Sequence, residues 1–113
     1  MMLKVLFVCS QNKLRSPTAE QVFSGYADVE VSSAGLNHDA EVPLSAELVE
    51  WADIIFVMEK AHANKLRAKF RAQLKRQNVI CLNIPDQFAY MEPALVRILE
   101  EKVPRYLPAL RKG

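Results

Sequence analysis

Val5-Leu6-Phe7-Val8-Cys9-Ser10-Gln11-Asn12-Lys13-Leu14-Arg15-Ser16-Pro17 decides the reading of this chain. From Leu3 to Cys9 the residues are β-branched, aromatic or otherwise apolar with Lys4 the exception, the character of a strand buried on both faces. The polar stretch Ser10 to Arg15 predicts a loop. Ser16-Pro17 then offers an N-cap and a proline at the first helical position, where a missing N–H costs nothing. Beyond it, Ala19, Val22, Phe23 and Tyr26 fall on one helical face. The opening order is strand, loop, helix.

The same alternation continues outward. Val29 to Ser33 reads as a second strand ending at Ala34-Gly35, and Leu44 to Ala52 has helical spacing through Leu44, Leu48 and Trp51. Asp53 to Met58 is the strongest strand signal. A long helix is expected over residues 60 to 76, with Ala63, Leu66, Phe70 and Leu74 as its buried stripe and His62 on its exposed side. Val79 to Leu82 forms a fourth strand, Ile84 to Phe88 a loop, and Pro93 opens a last helix through Leu95, Val96, Leu99 and Val103. Pro104 and Pro108 break the tail. Nearly all-apolar strands alternating with helices predict an α/β fold: three layers, a four-stranded parallel sheet with helices on both faces. Ligands of such sheets bind beyond the carboxyl ends of the strands.

Length and charge set the bounds. The 113 residues fit one domain, 1–113, at about 150 residues per domain. Half are hydrophobic and a quarter charged, ordinary for a packed globular chain. No apolar run approaches the ~18 residues of a membrane-spanning helix, and the first one lacks the basic leader and cleavage site of a secretory signal. Cys9 and Cys81, each within an apolar stretch, suit reduced thiols in the cytoplasm better than a disulfide framework. A net charge of +2 names no partner. Lys60, Lys65, Arg67, Lys69, Arg71, Lys75 and Arg76 form a basic run that reads as the solvated face of a helix rather than a nucleic-acid contact. No cluster of residue types has metal-ligand spacing, and no cofactor is implied.

Placement gives the first loop its chemistry. A short loop entering a helix N-terminus turns backbone N–H groups toward one point, where the helix dipole adds roughly half a positive charge. That field attracts an anion and favours thiolate over thiol, so Cys9 is expected to act as a nucleophile at neutral pH. Arg15 can return to the loop mouth and offer a planar fork of donors to two oxygens, which lysine cannot.

The string Val5-Leu6-Phe7-Val8-Cys9-x-x-Asn12-x-x-Arg15-Ser16-Pro17-x-Ala19-Glu20 resembles the active-site signature of the low-molecular-weight protein tyrosine phosphatases. Ser33-Ala34-Gly35, the His38 segment and Asp53 to Met58 have look-alikes there in the same order. The resemblance implies a phosphotyrosine protein phosphatase I-like, flavodoxin-like fold and hydrolysis of phosphomonoesters through a phosphocysteine. Cys9 would attack phosphorus, and residues 9 to 16 (Cys9, Ser10, Gln11, Asn12, Lys13, Leu14, Arg15 and Ser16) would bind the phosphoryl oxygens. Asn12 would hold the turn, fitting the tolerance of asparagine for the left-handed region. Ser16 would hydrogen-bond the sulfur, and Ser33 and His38 would steady Asn12. Asp86 would protonate the leaving oxygen and then activate water, with Phe88 and Tyr90 as walls for an aryl group and Asp39 and Glu41 as the fallback acids. The implied ligands are a phosphotyrosine protein or small aryl phosphate, and phosphate or sulfate.

Departures are local. Gln11 stands where the family usually has glycine, Leu14 where many members have a second cysteine, and Pro85-Asp86 reverses the usual Asp-Pro order. With a short segment after Gly35, the chain reads as a compact member. Two other readings share the pocket: an arsenate reductase, which needs a resolving thiol that only Cys81 could supply, and a binding module without turnover.

Overall fold

A computed structural model describes residues 2–107 and 111–112; Pro108, expected to break the tail, lies outside them. Seven residues, Leu3–Cys9, form β1, and their strict alternation divides the molecule into two cores. Val5, Phe7 and Cys9 pack on one side of the sheet, Leu6 and Val8 on the other. Every residue from Val5 to Cys9 is buried, as a central strand covered on both faces requires.

β1 lies between β3 (Val29–Gly35) and β4 (Ile54–Val57), and β5 (Asn78–Cys81) closes the sheet in the order β3-β1-β4-β5. All three pairings are parallel, with Cys9 opposite Gly35 and Val8 opposite Val57. The chain leaves β1 toward one edge and later returns past it toward the other. The carboxyl end of β1 is therefore the topological switch point, where flavodoxin-like sheets open a crevice for ligands. The expected four-stranded parallel α/β fold is what the chain adopts.

Helices α1 (Arg15–Phe23) and α4 (Pro93–Lys102) cover the Phe7 face through Ala19, Phe23, Leu95 and Leu99. The rings of Phe23 and Phe56 stack on Phe7 at 5.8 and 5.4 Å. Helices α2 (Ala46–Trp51) and α3 (Lys60–Lys69) cover the other face through Val49, Ala63 and Leu66.

Four expectations are corrected. Helix α1 begins at Arg15, not after an N-cap at Ser16, because the Ser16 hydroxyl is drawn to the Cys9 sulfur. It ends at Phe23, so Tyr26 belongs not to its face but to a short strand β2 (Tyr26–Ala27), antiparallel to β6 (Arg111–Lys112). Helix α3 stops at Lys69 instead of residue 76. Gln77 replaces the next helical bonds: its Oε1 accepts from Lys75 and Arg76 N–H, and its Nε2 donates to the Gln73 and Val49 carbonyls. Val103 passes from α4 into a 3-10 turn, Val103–Tyr106.

Candidate active site

Three successive carbonyls of the first loop point away from the crevice. The backbone N–H groups of Leu36, Asn37 and Glu41 bind the oxygens of Cys9, Ser10 and Gln11 at 2.9, 3.0 and 3.0 Å. In a planar trans peptide the N–H opposes the carbonyl, so the amides of Ser10, Gln11 and Asn12 are turned the other way, toward the pocket. The Asn12 N–H accordingly reaches the Cys9 sulfur at 3.2 Å. This clamp requires a glycine at position 35: a Cβ there would lie 2.5 Å from the Ala40 Cβ and 2.6 Å from the Ser10 oxygen.

Asn12 holds the turn with φ 57°, in the left-handed region that asparagine tolerates. Its side-chain Nδ2 donates to Ser16 Oγ at 3.0 Å and to Ser33 Oγ at 2.9 Å, and Ser33 passes its own proton to the Glu20 carboxylate. Ser16 Oγ, which accepts from Asn12, lies 3.0 Å from the Cys9 sulfur and 3.5 Å from the Ala34 carbonyl oxygen. The sulfur thus has a backbone N–H and a hydroxyl oxygen within hydrogen-bond distance. His38 is exposed and takes no part in this network; Glu20 occupies the role expected of it. One helical turn after Ser16 on α1, Glu20 shares its face, a spacing visible in the sequence.

Arg15 is 3% exposed, and so deep a guanidinium needs fixed partners. Its Nη1 donates to the Glu59 carboxylate and, at 2.8 Å, to the Ile84 carbonyl. Its Nε lies 3.7 Å from Asp86 Oδ1, and its Nη2 has no protein partner among the described residues. The Nε–Nη2 edge is thereby left as a fork for two oxygens of an anion. The Arg15 hydrogen bond holds the Glu59 carboxyl below the usual carboxylate range, against the opposing effect of burial. Glu59 carries no motif in the sequence, although it follows β4 at the same carboxyl end of the sheet, where such a group belongs.

Glu59 also caps α3, exchanging hydrogen bonds with His62, whose other ring nitrogen reaches Ser10 Oγ at 2.9 Å. His62 is buried, contrary to the expected exposed position. Burial, and next the Arg15 charge, push its pKa below the ordinary imidazole value.

Cys9, Ser10, Gln11, Lys13, Leu14, Arg15 and Asp86 line a pocket of about 240 Å³. Asp86 stands exposed at its mouth, on a loop tied back through the Arg15 bond to Ile84 and the Met91 N–H bond to Thr18 Oγ1. Phe88 is not among the lining residues; it packs, partly buried, against the core on the Phe7 face. Tyr90 is exposed and lines an adjoining groove with Lys13, Pro17 and the fallback acid Glu41, while Asp39 is exposed outside both. Cys81 packs toward the face opposite Cys9, two strands away, at roughly 10 Å for a strand spacing of about 4.8 Å. That exceeds disulfide reach. Among the described residues, no three His, Cys, Asp or Glu side chains could hold a metal.

A parallel sheet with a Cys-x5-Arg loop at its switch point defines an α/β domain with a cysteine at the crevice. Comparison with known proteins points in one direction: residues 4–46 match the model of the low molecular weight phosphotyrosine protein phosphatases. Curated proteins yield no match. Among solved structures, the YwlE arginine phosphatase of Geobacillus stearothermophilus is 20% identical, aligned over 95% of this chain and 94% of that one, with TM-score 0.75. Wzb of Vibrio vulnificus, solved with benzylphosphonate, is 22% identical over 96% and 99%, with TM-score 0.76. The low molecular weight protein tyrosine phosphatase SP-PTP of Streptococcus pyogenes is 15% identical over 96% and 93%, with TM-score 0.77. The family resemblance read from the sequence is borne out, in the loop segment by the family match and along the chain by the fold.

Proposed function

We propose that the protein is a cysteine-dependent phosphomonoester hydrolase of the protein tyrosine phosphatase type. The observation that carries the reading is the convergence at one small pocket of the Cys9 sulfur, the amides of the clamped loop and the Nε–Nη2 edge of Arg15. The Cys9 thiolate attacks phosphorus, an S–P bond forms and the P–O bond to the leaving group breaks. Asp86, at the pocket mouth, delivers its proton to the departing oxygen. A water molecule then attacks phosphorus, giving its proton to the Asp86 carboxylate, and the S–P bond breaks to release phosphate and regenerate the thiolate. The amides and Arg15 stabilise the charge of both transition states, which the ground-state ester carries less of.

Aryl esters suit the pocket best. It is too small for a drug-sized ligand, for which about 300–1,000 Å³ is usual, so the phosphoryl group fills it and the aryl group lies outside. Exposed Leu14, Tyr90 and Val42 offer that ring an apolar rim. Solved neighbours described as tyrosine and arginine phosphatases and a benzylphosphonate complex support a phosphorylated protein or aryl phosphate as substrate. Two free thiols on opposite faces of one sheet suit a reducing cytoplasm. The opposite-face geometry disfavours arsenate reduction, since Cys81 cannot resolve an adduct on Cys9 without the sheet opening.

Hydrolysis of p-nitrophenyl phosphate by the wild type, its loss in Cys9→Ser, and a fall of about 100-fold or more in Asp86→Asn with poor leaving groups would support these roles. A wild type that binds phosphate but releases no nitrophenol would make the chain a binding module instead. Phosphotyrosine, phosphoserine and phosphoarginine peptides assayed in parallel give the substrate class.

A further inference from the structure

Both ring nitrogens of buried His62 are engaged. The Glu59 backbone N–H donates to Nδ1 at 3.1 Å, so Nδ1 is the unprotonated nitrogen and the proton sits on Nε2. Nε2 lies 2.9 Å from Ser10 Oγ and must donate to it. The hydroxyl then has its own proton left over, with no acceptor for it among the described residues. Ser10 follows the nucleophile directly and lines the anion pocket. A hydroxyl anchored from behind, with its proton unclaimed among the described residues and its residue lining the pocket, is able to donate to an oxyanion there.

We infer that Ser10 Oγ–H donates to an oxygen of the bound phosphoryl group and that His62 is the positioning residue that presets it. The chain Glu59 N–H to His62, His62 to Ser10, Ser10 to phosphoryl oxygen adds one side-chain donor to the backbone amides of the loop. It links the N-cap of α3, and through Glu59 the Arg15 guanidinium, to the same anion. The inference rests on the phosphatase reading for its catalytic meaning, but it needs only an oxyanion in the pocket and is testable with phosphate alone.

Only a neutral His62 can serve. Facing it are Arg15 from α1, Glu59 and Lys65 from its own helix and cap, Ser10 from the loop, and Asp86 from the segment after β5. A second proton would go to Nδ1, break the bond from Glu59 N–H and place a cation beside Arg15.

The test measures inorganic phosphate affinity through its protection of Cys9 against iodoacetamide, beside kcat and KM for p-nitrophenyl phosphate. The variants are Ser10→Ala, His62→Asn, His62→Gln and the Ser10→Ala/His62→Asn pair. Asparagine keeps an oxygen for the Glu59 N–H but is too short to reach Ser10, whereas glutamine can reach it with an amide N–H. Phosphate binding should weaken about tenfold in Ser10→Ala and in His62→Asn, the pair should be no weaker than Ser10→Ala alone, and His62→Gln should recover most of the loss. Wild type should lose phosphate affinity in acid through a His62 step that Ser10→Ala lacks. Unchanged affinity in Ser10→Ala, or additive losses in the pair, overturns the inference, and Ser10→Ala alone decides it if a His62 variant does not fold. Should the variants behave as expected while no form turns over substrate, the relay stands and the phosphatase reading falls. Should the wild type hydrolyse the ester with Ser10→Ala at full phosphate affinity, the reverse holds. A wild type left unprotected by phosphate overturns both.

Discussion

Arg15 keeps its guanidinium in one plane because Glu59 and the Ile84 carbonyl consume Nη1 and leave the Nε–Nη2 edge toward the pocket. Lysine would retain the charge and lose the fork. Arg15→Lys should therefore lower kcat/KM by about 100-fold or more with little change in melting temperature, measured by initial rates and thermal unfolding. Glu59→Ala removes the main partner of a buried cation. Because the carboxylate is partly exposed, the expected loss is about 1–2 kcal/mol rather than the larger cost of a fully buried pair, read from urea unfolding. The two depressed pKa values give stability the same sign in acid. Glu59 contributes above the unfolded carboxyl value near 4.5 and loses that contribution as pH falls through its lower folded value. Neutral His62 contributes fully above 6.5, and the contribution declines as pH drops below that toward its folded value. Urea midpoints should therefore fall between pH 7.5 and 5.5 in the wild type and stay nearly level in His62→Asn. Cys9, Asn12, Arg15 and Ser16 could be read from one continuous string because they share one loop and helix start. Glu59 and His62 could not, since their partners lie 44 and 52 positions away. Only the fold brings those distances to nothing.

At the level of elements, the segment from Gly35 to Val42 acts as the mould of the loop after β1. Its N–H groups take up the loop carbonyls, and Gly35 lets the two backbones approach to a distance no side chain permits. Gly35→Ala should cost about 1–3 kcal/mol by overpacking and reduce phosphate affinity as well, because the shift falls on the Ser10 oxygen and Asn12 nitrogen. Differential scanning calorimetry and phosphate titration would check the two effects separately. Sequence periodicity placed all four strands of the main sheet within a residue or two at each end, since the runs are short, apolar and bounded by polar turns. It overran α3 because Leu74 continues the apolar stripe while Gln77 ends the helix through side-chain bonds that periodicity does not register. Similarly, α1 starts early because the hydroxyl that would otherwise cap it is engaged by Cys9 and Asn12.

Across the whole molecule, one sheet with two opposed cores sets the geometry of the site, and charge is segregated around it. Seven of the 15 Lys and Arg residues lie between positions 60 and 77, with none of the 13 Asp and Glu. These cations are exposed and make no ion pair among the described residues. The Phe7 core includes Cys9 itself, so its packing bears directly on the first loop. Phe56→Ala, removing a fully buried ring stacked on Phe7, should cost about 3–5 kcal/mol, a large part of the 5–15 kcal/mol typical of a domain. Chemical denaturation would measure it. The most direct test of the account is acid quenching of the enzyme during turnover of p-nitrophenyl phosphate, followed by mass spectrometry of its peptides. A phosphoryl group carried on the Cys9 peptide, accumulating further in Asp86→Asn and absent from Cys9→Ser, is the predicted result. Turnover that persists in Cys9→Ser, or a phosphoryl group found on any other residue, would contradict it.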